Sequence, residues 1–234
     1  NMVPLCSNVV SGDIELDVDI NVADFNLMSI GRLDKHYVQT VLIGIKSFVE
    51  MYYQYSFNLL VIGGSPDGRV EKQIENMFNG MDNIKVYLFG YMFPIPAKLI
   101  RIADAAMASA NSVLVTADQG IPTISYDMTD YQTIGIYGHT TNNKFKRDNE
   151  PVIPTEHLLE DILLKKKYTK ASGIVDNSET IENVFAPQLD FLVKFPVEYS
   201  IYNVMSIHSL SERVFAHLKR IIYMSIGKFE HNVI

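Results

Sequence analysis

Arg32 follows Gly31 directly at the end of the apolar run "FNLMSIG", and Lys35 and His36 come shortly after. A guanidinium in such a place can hold a diphosphate by two parallel hydrogen bonds, with Lys35 adding positive charge. An ordinary surface arginine is the alternative. Three more apolar runs close on small or flexible residues: Gly63-Gly64, Gly90-Tyr91 and the loop Ser109-Ala110-Asn111-Ser112. The glycine pair marks either a close backbone approach to a ligand or a tight turn. The serine and asparagine loop has no bulky side chain and precedes a helix-compatible segment. Unpaired N–H groups and a partial positive charge at a helix start suit a phosphate.

Other chemistries find less support. No G-x-G-x-x-G dinucleotide fingerprint and no G-x-S-x-G hydrolase elbow stands in the chain. The six histidines show no ligand spacing, so no metal site is expected. "DVD" at Asp17 to Asp19 resembles a metal-binding D-x-D, but the polar face of a strand accounts for it equally well. Asp127 and His139 are the candidates for an acid or base at a strand end, as an epimerase would need.

The elements that must position these residues follow a rhythm. Ile14 to Val22 alternates apolar and polar, the pattern of a half-exposed edge strand. From Phe25, buried strand runs alternate with helical stretches: a helix over Val38 to Tyr55, "NLLVIGG", a helix over Arg69 to Phe78, "NIKVYLFG" and a short helix over Ala97 to Ile102. "ADAAMA", a helix over Val113 to Gln119, "IPTISYD" and "QTIGIYG" complete the series. This order predicts an α/β fold, a Rossmann-like doubly wound parallel sheet with its strand C-termini along one edge. Ligands bind at that edge. Residues 139–151 are expected to form a surface excursion. Helices are expected over Glu156 to Lys167, Ser178 to Phe195 and Ser209 to Met224. The expected organisation is a leading segment with the edge strand (1–24), a Rossmann-like ligand-binding core (25–150) and a C-terminal helical segment packed on that core (151–234).

Bulk properties bound the function. The chain has 234 residues, 47% hydrophobic and 20% charged, enough for a sizeable core. A net charge of −7 argues against nucleic acid as a partner. A single cysteine, Cys6, excludes an internal disulfide and, with no visible signal peptide, suits a cytoplasmic setting. Leu210 to Met224, with Arg213, Lys219 and Arg220, reads as a core-docked helix; peripheral contact with an anionic membrane is the alternative. The start at Asn1-Met2 reads like mid-domain sequence, so a longer parent protein is expected.

In order and spacing, the segments from about Pro4 to Thr141 resemble the C-terminal, donor-binding half of GT-B-fold glycosyltransferases, the retaining group-1 (family 4) enzymes most closely. "PLCSN" looks like the interdomain crossing, "FNLMSIGRLDK" the first strand and its Gly-Arg, and "NLLVIGGSPDGRVEKQIE" the glycine-ended second strand and helix. "NIKVYLFGYM", "LIRIADAAMAS" and "GIPTISYD" look like the later strands and helix. The resemblance implies a metal-independent hexosyltransferase needing no cofactor, with a UDP- or GDP-sugar as donor and a polysaccharide or glycolipid acceptor. It gives Gly31, Arg32 and Lys35 the diphosphate, the Gly90-Tyr91 backbone the base, and Ser109 to Ser112 the phosphate or sugar. It implies an acceptor domain outside this chain, so the chain alone is expected to be inactive. Two departures stand out. Tyr37 occupies the usual lysine position, and Val115 that of the ribose-binding glutamate, with Thr116 the nearest polar group. These departures support an alternative, a degenerate GT-B-like interaction module without catalysis.

Overall fold

The computed structural model describes residues 10–11 and 18–169. The chain divides into two units, Met2–Phe185 and Asn1 with Ala186–Ile234. All described residues belong to the first. Cys6, "PLCSN", Asp17 and the helices expected over Ser178 to Phe195 and Ser209 to Met224 lie outside the described residues.

The elements run β1 (Val10–Ser11), β2 (Phe25–Ile30), α1 (His36–Met51), β3 (Phe57–Ile62), α2 (Arg69–Phe78), β4 (Ile84–Leu88) and β5 (Ile95–Pro96). Then come α3 (Ala97–Ile102), β6 (Ala105–Ala108), α4 (Ser112–Ala117), β7 (Thr123–Tyr126), β8 (Thr133–Ile136) and α5 (Thr155–Leu159), which continues as a π-helical turn over Glu160–Leu164. Six strands form one sheet in the order β4-β3-β2-β6-β7-β8. All pair in parallel except β8, which runs antiparallel to β7. A separate parallel pair joins β1 to β5.

Strand periodicity sorts the core into two layers. Leu27, Leu59, Val61, Met107, Ile124 and Tyr126 face α1, α2 and α5. Met28, Ile30, Leu60, Ile62, Ala106 and Ala108 face the side covered by α3 and α4, where Leu99, Ile100 and Val113 pack. With both faces covered, the strands read as continuous apolar runs. The chain builds outward from β2 to β4, then crosses back to β6. The order therefore reverses between β2 and β6, a Rossmann-like switch point.

One expectation differs from the structure. The alternating pattern of Ile14 to Val22 forms no strand over residues 18–22, and Val22 is fully exposed. The backbone there bonds to side chains instead of a ladder: Asn21 N–H donates to the Tyr87 hydroxyl at 2.9 Å, and Asn58 Nδ2 donates to the Asn21 carbonyl at 2.7 Å. The segment over 139–151 lies at the surface, as expected, with most of its residues exposed, and its own side chains tie it together. Glu150 accepts from Thr141 Oγ1 at 2.5 Å, Asn143 Nδ2 at 2.7 Å and the Asp148 N–H at 2.8 Å. These bonds, the Thr141 hydroxyl's first, hold the Glu150 carboxyl down to a pKa of about 2.

Gly44, in the middle of α1, lets α5 approach. A Cβ there would lie 2.7 Å from Thr155 Oγ1 and 2.9 Å from its Cγ2. The Thr155 hydroxyl pairs with the Tyr126 phenol at 2.6 Å inside the core. Gly44→Ala gains about 1 kcal/mol of helix propensity but forces an overlap costing about 1–3 kcal/mol. A net destabilisation of about 1 kcal/mol is expected in urea unfolding. An unchanged or raised midpoint would show that the α1–α5 contact yields freely.

Candidate functional site

Register brings the candidate residues together. Ile30 pairs with Ala108 on one side and Ile62 on the other. Gly31, Ser109 and Gly63 therefore leave three neighbouring strands side by side at the switch point. A cavity of about 350 Å³ opens there, lined by Gly31, Arg32, Lys35, Gly63, Tyr91 and Ser109 to Ser112. These nine are all sequence candidates. Tyr37, Met92, Ile95 and Met128 also line it.

Gly63 is held between two strand ends. Its N–H donates to the Gly90 carbonyl at 2.8 Å, and the Gly31 N–H donates to the Ile62 carbonyl at 3.0 Å. Gly64 carries the Tyr91 ring: a Cβ on Gly64 would lie 2.6 Å from Tyr91 Cε2. Gly64 and Gly90 thus shape the cavity wall from behind instead of lining it. Tyr91 is 66% exposed, and its ring stands at the opening.

Arg32 is not idle. Its Nε donates to Asp34 Oδ1 at 3.0 Å, and its terminal nitrogen reaches Oδ2 at 2.5 Å. The side chain is 57% exposed. The pair raises the arginine pKa and lowers that of Asp34, in each case chiefly through these hydrogen bonds. An incoming diphosphate must compete with the Asp34 carboxylate for the same fork. Exposed pairs of this kind are weak, so replacing the carboxylate frees the fork at little cost. Asp34→Asn is expected to tighten binding of a nucleoside diphosphate about two- to fivefold at low salt. Equal or weaker binding in a titration would show that Asp34 does not compete.

On the opposite wall, the Ser109 hydroxyl donates to the Tyr126 carbonyl at 2.7 Å, and the residue is buried. Its contribution to the site is shape. Ala110 takes a positive φ of 55° and donates its N–H to the Lys144 carbonyl at 2.7 Å. The Met128 N–H donates to the Phe145 carbonyl at 3.0 Å, so the 139–151 segment braces two cavity-lining residues. α4 begins here, but it is a six-residue helix, with Asn111 already in helical geometry at its start.

Thr116 stands apart from the others. It is 0% exposed, and its hydroxyl lies 2.8 Å from Thr123 Oγ1 within the core. Val115 is buried in the layer beneath. Among the described residues, none of those shown bonded to Thr116 is a carboxylate. Asp127 and His139 do not line the cavity. Asp127 accepts the N–H groups of Arg147 at 2.7 Å and Thr129 at 2.6 Å. Burial opposes its ionisation, but these backbone bonds outweigh it and lower its pKa. His139 is exposed, its ring 5.2 Å from that of Tyr168.

Sequence reasoning passed over two residues. Asp34 is the partner of Arg32, and proximity alone would have flagged it. Tyr37 was noted only as a departure from lysine. A side chain in the first turn of a helix leans back toward its N-terminus, which is the signal that brings Tyr37 to Gly31.

No protein-family model matches the chain, and no curated protein does. Solved structures do match it. One is the catalytic domain of cholesterol-alpha-glucosyltransferase from Helicobacter pylori, at 20% identity over 44% of this chain and 62% of that one, TM-score 0.31. Another is UDP-GlcNAc 2-epimerase from Neisseria meningitidis bound to UDP-GlcNAc, at 15% identity over 80% and 45%, TM-score 0.42. A third is TarM from S. aureus in a complex containing UDP, at 13% identity over 82% and 37%, TM-score 0.41. The chain spans less than two thirds of each of these three structures. The Rossmann-like assignment rests on the strand order itself.

Among the described residues, no helix is long and apolar enough to cross a membrane.

Proposed function

We propose that this chain is the nucleotide-sugar-binding domain of a glycosyltransferase. The observation that carries the reading is the switch-point cavity, with Arg32 and Lys35 on one loop and the small residues Ser109 to Ser112 on the facing one. A donor of the UDP- or GDP-sugar type would lay its diphosphate against Gly31, Arg32 and Lys35 and its base toward Tyr91. Transfer leaves a diphosphate with growing negative charge, and positioned cations stabilise such a leaving group. Arg32 and Lys35 supply that charge, so the reading calls for no metal. The acceptor, a polysaccharide or glycolipid, would be held by a domain outside this chain. On this reading the chain by itself binds donor without transferring sugar.

A thermal-shift panel of UDP, GDP, ADP and CDP at millimolar concentration tests this. Binding to the native state alone raises the melting temperature by mass action. At least one nucleotide is expected to do so; flat melting curves across the panel would remove the reading.

Buried Val115 and Thr116 favour a second reading. With no carboxylate at the ribose position, the fold would serve as a GT-B-like interaction module. It predicts flat curves with every nucleotide and stable co-purification with another chain.

A further inference from the structure

Tyr37 is 4% exposed, yet it lines the switch-point cavity. Its ring packs in the core beside Tyr126, with centroids 6.1 Å apart. Its hydroxyl lies over Gly31: a Cβ on Gly31 would overlap that oxygen and would lie 3.8 Å from Ser112 Oγ. Two hydroxyls therefore converge where the cavity floor is bare glycine backbone. Among the described residues, no group hydrogen-bonds to the Tyr37 hydroxyl, and burial alone acts on it, pushing its pKa up to about 12. Buried phenols normally find a partner. An unpaired one opening onto a cavity is poised for a partner that arrives from outside.

We infer that Tyr37 is a binding residue whose phenolic O–H donates a hydrogen bond to an anionic oxygen held over Gly31. Under the reading proposed above, on which this inference rests, that oxygen belongs to the donor's diphosphate. The chemistry fits. Phosphate oxygens only accept hydrogen bonds, and burial keeps the proton on the phenol throughout the neutral and mildly alkaline range. Arg32 and Lys35 bring charge from the exposed side. Tyr37 brings a neutral, directed donor from the buried side, fixed by ring packing. Its contribution is therefore independent of salt, whereas that of Arg32 is screened.

Tyr37→Phe isolates the hydroxyl, because the ring and its packing remain. Calorimetric titrations would use UDP, GDP and inorganic pyrophosphate, with uridine and guanosine as the arm lacking phosphate. The expected result is about a tenfold loss of affinity for the diphosphates, at low and high salt alike, with nucleoside binding unchanged. Without ligand, the melting temperature of the variant is expected to equal or exceed that of the wild type, since no internal bond is lost. If both proteins bind a diphosphate equally well, the inference falls and the reading stands. If the variant melts well below the wild type with unchanged affinity, the hydroxyl is structural and the inference falls. If the wild type binds neither a nucleotide nor pyrophosphate, both fall.

Discussion

Gly63→Ala is expected to destabilise the fold by about 3 kcal/mol or more, enough to leave a marginally stable domain largely unfolded. A Cβ at this position would overlap the Gly31 carbonyl oxygen and lie 2.8 Å from its carbonyl carbon. Both obstacles are backbone, so no rotamer change relieves them. Gly63 also has a φ of +141°, which side-chain-bearing residues avoid. Gly31 is fixed in turn by its N–H bond to Ile62, and Gly63 by its bond to Gly90. Relief would require parting β2 from β3 at the cavity. Circular dichroism of the purified variant and its urea midpoint measure this. Gly90→Ala is the control: Gly90 has φ +67° with open space around its Cβ position, so only the left-handed conformation is penalised, by about 1 kcal/mol. Equal stability of the two variants would show that the Gly31–Gly63 approach is not tight.

Arg32→Ala is expected to weaken binding of a nucleoside diphosphate about thirtyfold or more and to abolish its thermal shift. A bidentate, charge-assisted contact is among the strongest polar contacts available to a phosphate. The variant also leaves the Asp34 carboxylate without its cationic partner, so an anion at the cavity meets uncompensated negative charge two residues along the same loop. The double variant Arg32→Ala, Asp34→Asn separates the two effects. It is expected to recover part of the loss, and the salt dependence of binding should be shallower than in the wild type. Arg32 is exposed, so the melting temperature without ligand should hardly move. Undiminished diphosphate binding by Arg32→Ala would remove this residue from the site.

Much of the fold was legible because buried parallel strands have a local signature. "FNLMSI", "FNLLVI" and "AAMA" are apolar throughout, since both sheet faces are covered, and each ends where glycine or small polar residues release the chain. Amphipathic spacing likewise placed α2 at Arg69–Phe78. Strand direction was less legible. "TIGI" has the composition of its parallel neighbours but runs antiparallel, because the short Asp127 to Gln132 turn lets it double back on β7. The alternation over residues 18–22 misled because period-two hydrophobicity marks a strand only where a sheet edge accepts it.

By itself the sequence determined the order of elements, the glycine-ended strands, and which loops would meet at the C-terminal edge. Those are consequences of local composition and of the handedness rule for parallel crossovers. The tertiary structure alone decided how the candidates divide. Arg32, Lys35 and the Ser109 to Ser112 loop face the cavity, Thr116 turns inward to Thr123, and Tyr37 reaches back over Gly31. The reason is physical. A side chain's bonding partners come from strands and helices distant in sequence, and a hydroxyl serves a ligand only where the packing around it leaves it open and unpaired.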